Sequence, residues 1–266
     1  MSTMSSQIKH KLQNLLQSWP AGTVATTPWL HSLGISRQLV HIYKTNGWLQ
    51  SLGAGAFLKS HDSIEWMGGL YALQFQLGLN IHVGARTALA LQGIAHYLPM
   101  GQSTVDLLKS PRTLLPRWFA RYPWTERVRT VESNALPIQL EIEDMNVGTF
   151  NIRVASRERA ALEVLALTPR LYSFEETRIL MASLGTLRAE VLTKLLKSCT
   201  SEKAKRLLLY FGEHQKHAWR EHIDESVVQL GDSLLKITSQ KGRYDSKYHL
   251  FLPLEYVIAD EQPIKF

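Results

Sequence analysis

Arg37, Gln38, His41, Lys44 and Thr45 fall on one arc of any helix that spans them, at about 100° per residue, while Ile35, Leu39, Ile42 and Tyr43 fall on the other. The polar arc contains no carboxylate. Its groups match what a nucleic-acid duplex offers. A guanidinium forks onto two acceptors of guanine, a carboxamide onto adenine, and ammonium and hydroxyl groups reach phosphate oxygens. The same side chains equally suit the solvated side of an ordinary amphipathic helix, so the flanking residues must decide between the two.

Upstream, Ile8, Leu12, Leu15 and Leu16 recur at helical spacing and predict a helix over 6–16. Pro20 and Gly22 end it, and 23–25 reads as a short edge strand. Thr27 before Pro28 supplies a capping hydroxyl and a first-turn proline for a short helix that stops at Gly34. Ser36 caps the next helix, which Gly47 terminates. Residues 48–52 and 56–59 then read as two strands around Gly53-Ala54-Gly55. These elements, in this order, predict a winged helix-turn-helix over about 6–60. Its expected DNA-binding residues are Ser36, Arg37, Gln38, His41, Lys44 and Thr45, with Gln50, Ser51 and Lys59 on the wing. A register slip of one residue would turn each wing side chain to the opposite face.

Charge supports this placement. Residues 1–61 hold five basic side chains (Lys9, Lys11, Arg37, Lys44, Lys59) and no aspartate or glutamate. The whole chain, 266 residues at net charge +7, suits a polyanion partner, though total charge alone is a weak guide. Its length predicts two domains, 1–95 and 96–266, and its 45% apolar content is enough for real cores. The single Cys199 excludes an intramolecular disulfide or a cysteine-rich zinc site and fits a reducing cytoplasm. The polar N-terminus lacks a signal-peptide core, and the most apolar run, 66–79, is too short to cross a bilayer. A cytoplasmic protein without a membrane partner is expected.

Beyond Asp62 the pattern predicts helices over 66–77 and 85–95, and strands over 79–83, 104–108, 127–131, 138–142 and 150–154. Helices follow over 156–167, 174–184, 187–199, 201–213 and 217–221, with two last strands over 233–238 and 248–252 around Lys241-Gly242. The fold class is α+β, a winged helix-turn-helix followed by a mixed α/β domain. The search for chemistry finds little. His214, His217 and His222 lack a recognised zinc spacing, Glu141, Glu143 and Asp144 read as a solvated strand edge, and Cys199 has no identifiable base. No catalytic residue, metal or cofactor is expected. Lys194, Lys197, Lys203, Lys205 and Arg206 form a possible second basic surface, with a plain solvated helix face as the alternative.

Several strings, in order, resemble the AbiEi-type antitoxins of type IV toxin–antitoxin (abortive infection) systems. They are Thr27-Pro28-Trp29-Leu30 with Leu33-Gly34-Ile35-Ser36, Gly47-Trp48-Leu49, Gly68-Gly69-Leu70-Tyr71-Ala72-Leu73-Gln74 and His82-Val83-Gly84-Ala85-Arg86-Thr87-Ala88-Leu89. Glu158-Arg159-Ala160-Ala161-Leu162-Glu163 and Lys203-Ala204-Lys205-Arg206-Leu207-Leu208 extend the likeness over most of the chain. The resemblance implies a transcriptional autorepressor whose N-terminal winged helix binds inverted repeats in its own promoter. It also implies a C-terminal domain that counters a nucleotidyltransferase toxin without needing a stable complex with it. The alternatives are a regulator with no toxin, or a protein or RNA interaction module that uses the winged helix as scaffold.

Overall fold

The computed structural model describes residues 2–94, 104–239 and 241–254. The expected domain boundary near residue 95 lies outside them. Contacts divide the chain into two compact units, Met1–Val83 with Gly101–Glu132 and Glu143–Val154, and Gly84–Met100 with Ser133–Ile142 and Ala155–Phe266. Neither unit is one continuous stretch, because strands distant in sequence share a sheet.

The first unit opens with helix α1 (Ser2–Ser18), strand β1 (Ala25–Thr26), helices α2 (Thr27–Ser32) and α3 (Arg37–Thr45), and the hairpin β2 (Leu49–Gly53) and β3 (Ala56–Lys59). The three strands form an antiparallel sheet in the order β1-β3-β2. Leu12, Leu15, Trp19, Leu30, Ile35, Val40, Tyr43 and Leu49 make its core, and Trp19 meets Trp29 edge-on at 6.0 Å. Helix α4 (Trp66–Tyr71) then widens into a π-helical turn over Ala72–Gln76. Five further strands follow, β4 (Ile81–Val83), β5 (Thr104–Lys109), β6 (Arg127–Glu132), β7 (Ile142–Asn146) and β8 (Asn151–Ala155). They form a mixed sheet in the order β6-β5-β4-β8-β7, with a short helix α6 (Arg117–Arg121) between β5 and β6. Strand β4 is antiparallel to β5 and parallel to β8, so the strands expected in a separate C-terminal domain hydrogen-bond to residues 81–83.

Two glutamines of the π-helical turn complete these sheets. The Gln76 carboxamide accepts from the Thr26 amide at 2.8 Å and donates to the Val24 carbonyl at 2.7 Å, doing for the open edge of β1 what another strand would do. Buried Gln74 donates to the Ile81 and Arg153 carbonyls at 3.0 and 3.1 Å and accepts from the Arg153 amide at 2.8 Å. It thereby bridges β4 and β8, whose own pairing is confined to Val83 and Val154.

The second unit contains α5 (Ala85–Leu91), α7 (Arg157–Leu167), α8 (Phe174–Ala182), α9 (Ala189–Ser198) and α10 (Glu202–His214). Ser156, Ser173 and Ser201 cap α7, α8 and α10 through their hydroxyls. Helix α7 is buried nearly all round, its charged residues included. Arg159 pairs with Glu163 at 2.8 Å and donates to the Pro137 and Leu140 carbonyls, while Glu163 accepts from the Ala85 amide at 3.0 Å. Glu158 receives the Arg188 guanidinium at 2.8 and 3.0 Å. Each buried charge is therefore paired and hydrogen-bonded, the condition under which burial is tolerated.

The structure departs from expectation in three elements. Residues 138–141 form turns instead of a strand, since Arg159 holds the Leu140 carbonyl and that of Pro137 just before them, and Glu141 adopts a positive φ of 55°; the strand begins at Ile142. Helix α6, which the pattern did not indicate, is too short to show a period. The terminal strands β9 (Leu235–Lys236) and β11 (Leu250–Pro253) run parallel, with β10 (Gly242–Asp245) antiparallel on the far side of β11. Among the described residues no helix is long and apolar enough to cross a membrane.

Two outcomes are expected. Gln74→Ala strands three backbone groups, the buried Ile81 carbonyl and the half-buried Arg153 amide and carbonyl, and should cost about 2–4 kcal/mol, read as a lower urea midpoint. For Glu158, burial by itself would raise the carboxyl, but Arg188's hydrogen bonds and charge outweigh it and hold the group below its ordinary value of 4.5. The linked stability is present in full above that value and disappears as pH falls through the lower pKa of the folded protein. Urea midpoints at pH 7 and pH 3 should therefore show Glu158→Gln well below the wild type at pH 7 and nearer to it at pH 3.

Candidate nucleic-acid interface

The helix-turn-helix is set by local hydrogen bonds. Thr26, and not the expected Thr27, caps α2: its hydroxyl accepts from the Trp29 amide, which puts Pro28 in the first turn. The turn closes through Gly34 N–H to His31 C=O and Ile35 N–H to Leu30 C=O, both 2.9 Å. Gly34 sits at φ +72°, where a side chain would be strained. Ser36 then caps α3 by accepting from the Leu39 amide, as the sequence indicates.

The rotation of α3 about its axis follows from its buried residues. Val40 and Tyr43 enter the core, Leu39 and Ile42 are half-buried, and the Tyr43 hydroxyl donates to the Ile8 carbonyl of α1 at 3.1 Å. Burial pushes the Tyr43 phenol above its ordinary pKa, so it stays a donor. The opposite arc carries Arg37, Gln38, His41, Lys44 and Thr45, all exposed, with Ser36 exposed at its start. Thr45 donates back to the His41 carbonyl at 3.0 Å, whereas Arg37 and Lys44 have no partner among the described residues. A groove of about 720 Å³ runs between this arc and the wing, with His31, Arg37, His41 and Lys44 on one wall and Gly55 and Phe57 on the other.

On the wing, Gln50 pairs opposite Leu58 and Ser51 opposite Phe57. Both side chains are exposed, and the Ser51 hydroxyl turns in to the Gly53 carbonyl at 3.2 Å. Lys59 departs from its expected role. Its ammonium donates to the Trp19 carbonyl at 2.5 Å and the Leu16 carbonyl at 3.3 Å, beside the Trp19 ring. It thus satisfies carbonyls that the end of α1 leaves without amides and is not available to phosphate.

The second basic group dissolves as a surface. Arg206 is 1% exposed and Lys205 7%. Arg206 donates to the Leu230 and Ser233 carbonyls at 2.7 and 2.5 Å, and Lys205 to the Gln229 carbonyl, so together they pin a loop onto α10. Lys203 donates to the Thr168 carbonyl, and burial, then neighbouring Arg170, lowers its pKa. Lys194 pairs with Glu141 at 2.8 Å, leaving Lys197 exposed. His217 is buried, its Nε2 2.9 Å from the Met181 carbonyl, and burial lowers its pKa. Burial pushes the Cys199 thiol up, away from the reactive thiolate.

Fold and site together define an α+β protein built on a winged helix-turn-helix that presents a cationic α3. The chain belongs to the AbiEi antitoxin family, transcriptional regulators of type IV toxin–antitoxin systems. Residues 8–100 match the model of the AbiEi antitoxin N-terminal domain, and residues 102–253 match the model of the transcriptional regulator, AbiEi antitoxin. A crystal structure of the RV2827C protein from Mycobacterium tuberculosis is similar in fold, with TM-score 0.55 and 15% identity over 90% of this chain and 89% of that one. No curated protein matches the chain.

The different fates of two lysines give a test. Lys59→Met should lower thermal stability by about 1.5 kcal/mol through lost charge-assisted hydrogen bonds, whereas Lys44→Ala should stay within about 0.5 kcal/mol of the parent. Equal thermal midpoints for both would contradict the anchoring role of Lys59.

Proposed function

We propose that this chain is a cytoplasmic autorepressor that binds double-stranded DNA, at inverted repeats in its own promoter, and that it counters a nucleotidyltransferase-like toxin. Helix α3 enters the major groove. Arg37, Gln38 and His41 face base edges, Ser36, Lys44 and Thr45 lie toward the backbone, and Gln50 and Ser51 approach the adjacent phosphates. The observation that carries this reading is the exposed, carboxylate-free arc of α3, whose two strongest cations have no partner among the described residues. Membership of a regulator family supports it.

In this reading the DNA-binding work belongs to residues 1–95 and the antitoxin work to 96–266, and neither requires a catalytic residue, a metal or a cofactor. Lys59 and the Lys203, Lys205 and Arg206 group take no part in binding DNA, because backbone carbonyls hold them.

A salt titration of binding to a promoter fragment tests the interface. Arg37→Ala with Lys44→Ala should weaken binding and make the dependence of log K on log[salt] less steep by about two. If affinity and slope both match the wild type, α3 is not the reader.

A further inference from the structure

On the seam where α1 meets α3 lies a second groove, which the reading of α3 does not use. It holds about 430 Å³ and is lined by Ile8 and Lys9 of α1, Ile42 and Tyr43 of α3, and Asn46 and Trp48 just beyond it. Asn46 lies about half a turn round the helix axis from Arg37, at about 100° per residue. The groove therefore opens on the flank of α3 turned away from that arginine.

Its lining is of two kinds. Ile8 and Ile42 are only half-buried, and the Trp48 indole, 49% exposed, stands beside them, so three apolar side chains reach solvent together. Lys9 and Asn46 supply polar groups: both are exposed, and neither side chain has a partner among the described residues. No carboxylate lines the groove, and residues 1–61 carry none that could neutralise Lys9. A mainly apolar cleft of this size with a few convergent polar groups is the common form of a small-molecule site.

We infer that this seam binds a small, flat aromatic carboxylate. Its ring lies against the Trp48 indole, Ile8 and Ile42, where stacking and burial favour a planar apolar body. Its carboxylate accepts from the Lys9 ammonium and the Asn46 carboxamide, and the charge-assisted bond to Lys9 is one that a neutral amide cannot match. The occupant touches α1 and α3 at once, next to the Tyr43–Ile8 hydrogen bond that fixes how α3 is turned, and it leaves the outward arc clear. The inference stands whether or not α3 reads DNA.

The test titrates 1-naphthoate into the full chain and follows the indole N–H resonance of Trp48 in 1H–15N spectra, assigned by its loss in Trp48→Phe. That resonance should shift saturably, as for one site, with a Kd below about 1 mM. Uncharged 1-naphthamide should bind roughly tenfold more weakly, and Lys9→Ala should weaken naphthoate by roughly the same factor. Lys197→Ala removes a charge from an exposed position elsewhere and should leave the Kd unchanged. The inference is overturned if the Trp48 resonance does not respond at about 5 mM naphthoate, if naphthamide binds as tightly, if Lys9→Ala matches the wild type, or if Lys197→Ala loses as much. Trp48→Ala should also leave the sedimentation coefficient of the free protein unchanged; a change from dimer to monomer would give the groove to a second copy of the chain and overturn the inference as well.

Discussion

The packing of Tyr43 and Val40 beneath α3 is the constraint on which the rest of the site depends. A helix carries its side chains at fixed angles, so the choice of buried pair determines what faces outward. With the Tyr43 hydroxyl tied to the Ile8 carbonyl and its ring in the core, Arg37, His41 and Lys44 have no direction left but outward. Gly34 and the caps at Thr26 and Ser36 set where the helix begins, and the α1 contact sets how it is turned.

The same logic of completed hydrogen bonding runs through the supporting scaffold. A two-residue strand such as β1 leaves an open edge, and Gln76 closes it; β4 and β8 pair at one position, and Gln74 fills the gap. In the second unit, Glu158, Arg159 and Glu163 of α7 are buried, yet each is matched by a counter-charge and by backbone groups. These strings also carry the family resemblance, and the structure gives them a packing role. Losing one member of such a network leaves an unpaired buried group, which costs far more than an exposed ion pair contributes.

Basic residues here divide into those held by backbone carbonyls and those left free. Lys59, Lys203, Lys205 and Arg206 each donate to carbonyls at helix ends or loops. Arg37, Lys44, Arg117 and Arg121 do not. The net charge of the chain does not distinguish the two sets, so electrostatic arguments from composition overcount the cations open to a polyanion.

The sequence by itself determined the winged helix-turn-helix, because its periodicities, capping hydroxyls and glycine stops are local: α1, α2, α3 and the β2–β3 hairpin stand where the spacing puts them. It also determined which side chains share the outward arc of α3, since that follows from helix geometry and hydrophobic spacing alone. It did not determine that Thr26 takes the cap from Thr27, nor that 138–141 is turned by Arg159, since neighbouring hydroxyls and distant guanidiniums compete on equal terms until the chain packs. Only the tertiary structure decided which cations remain free and that α6 rests on the wing, because both depend on carbonyls and a glycine far away in sequence. A local pattern records what a residue can do, and contacts between distant segments settle what it is left free to do.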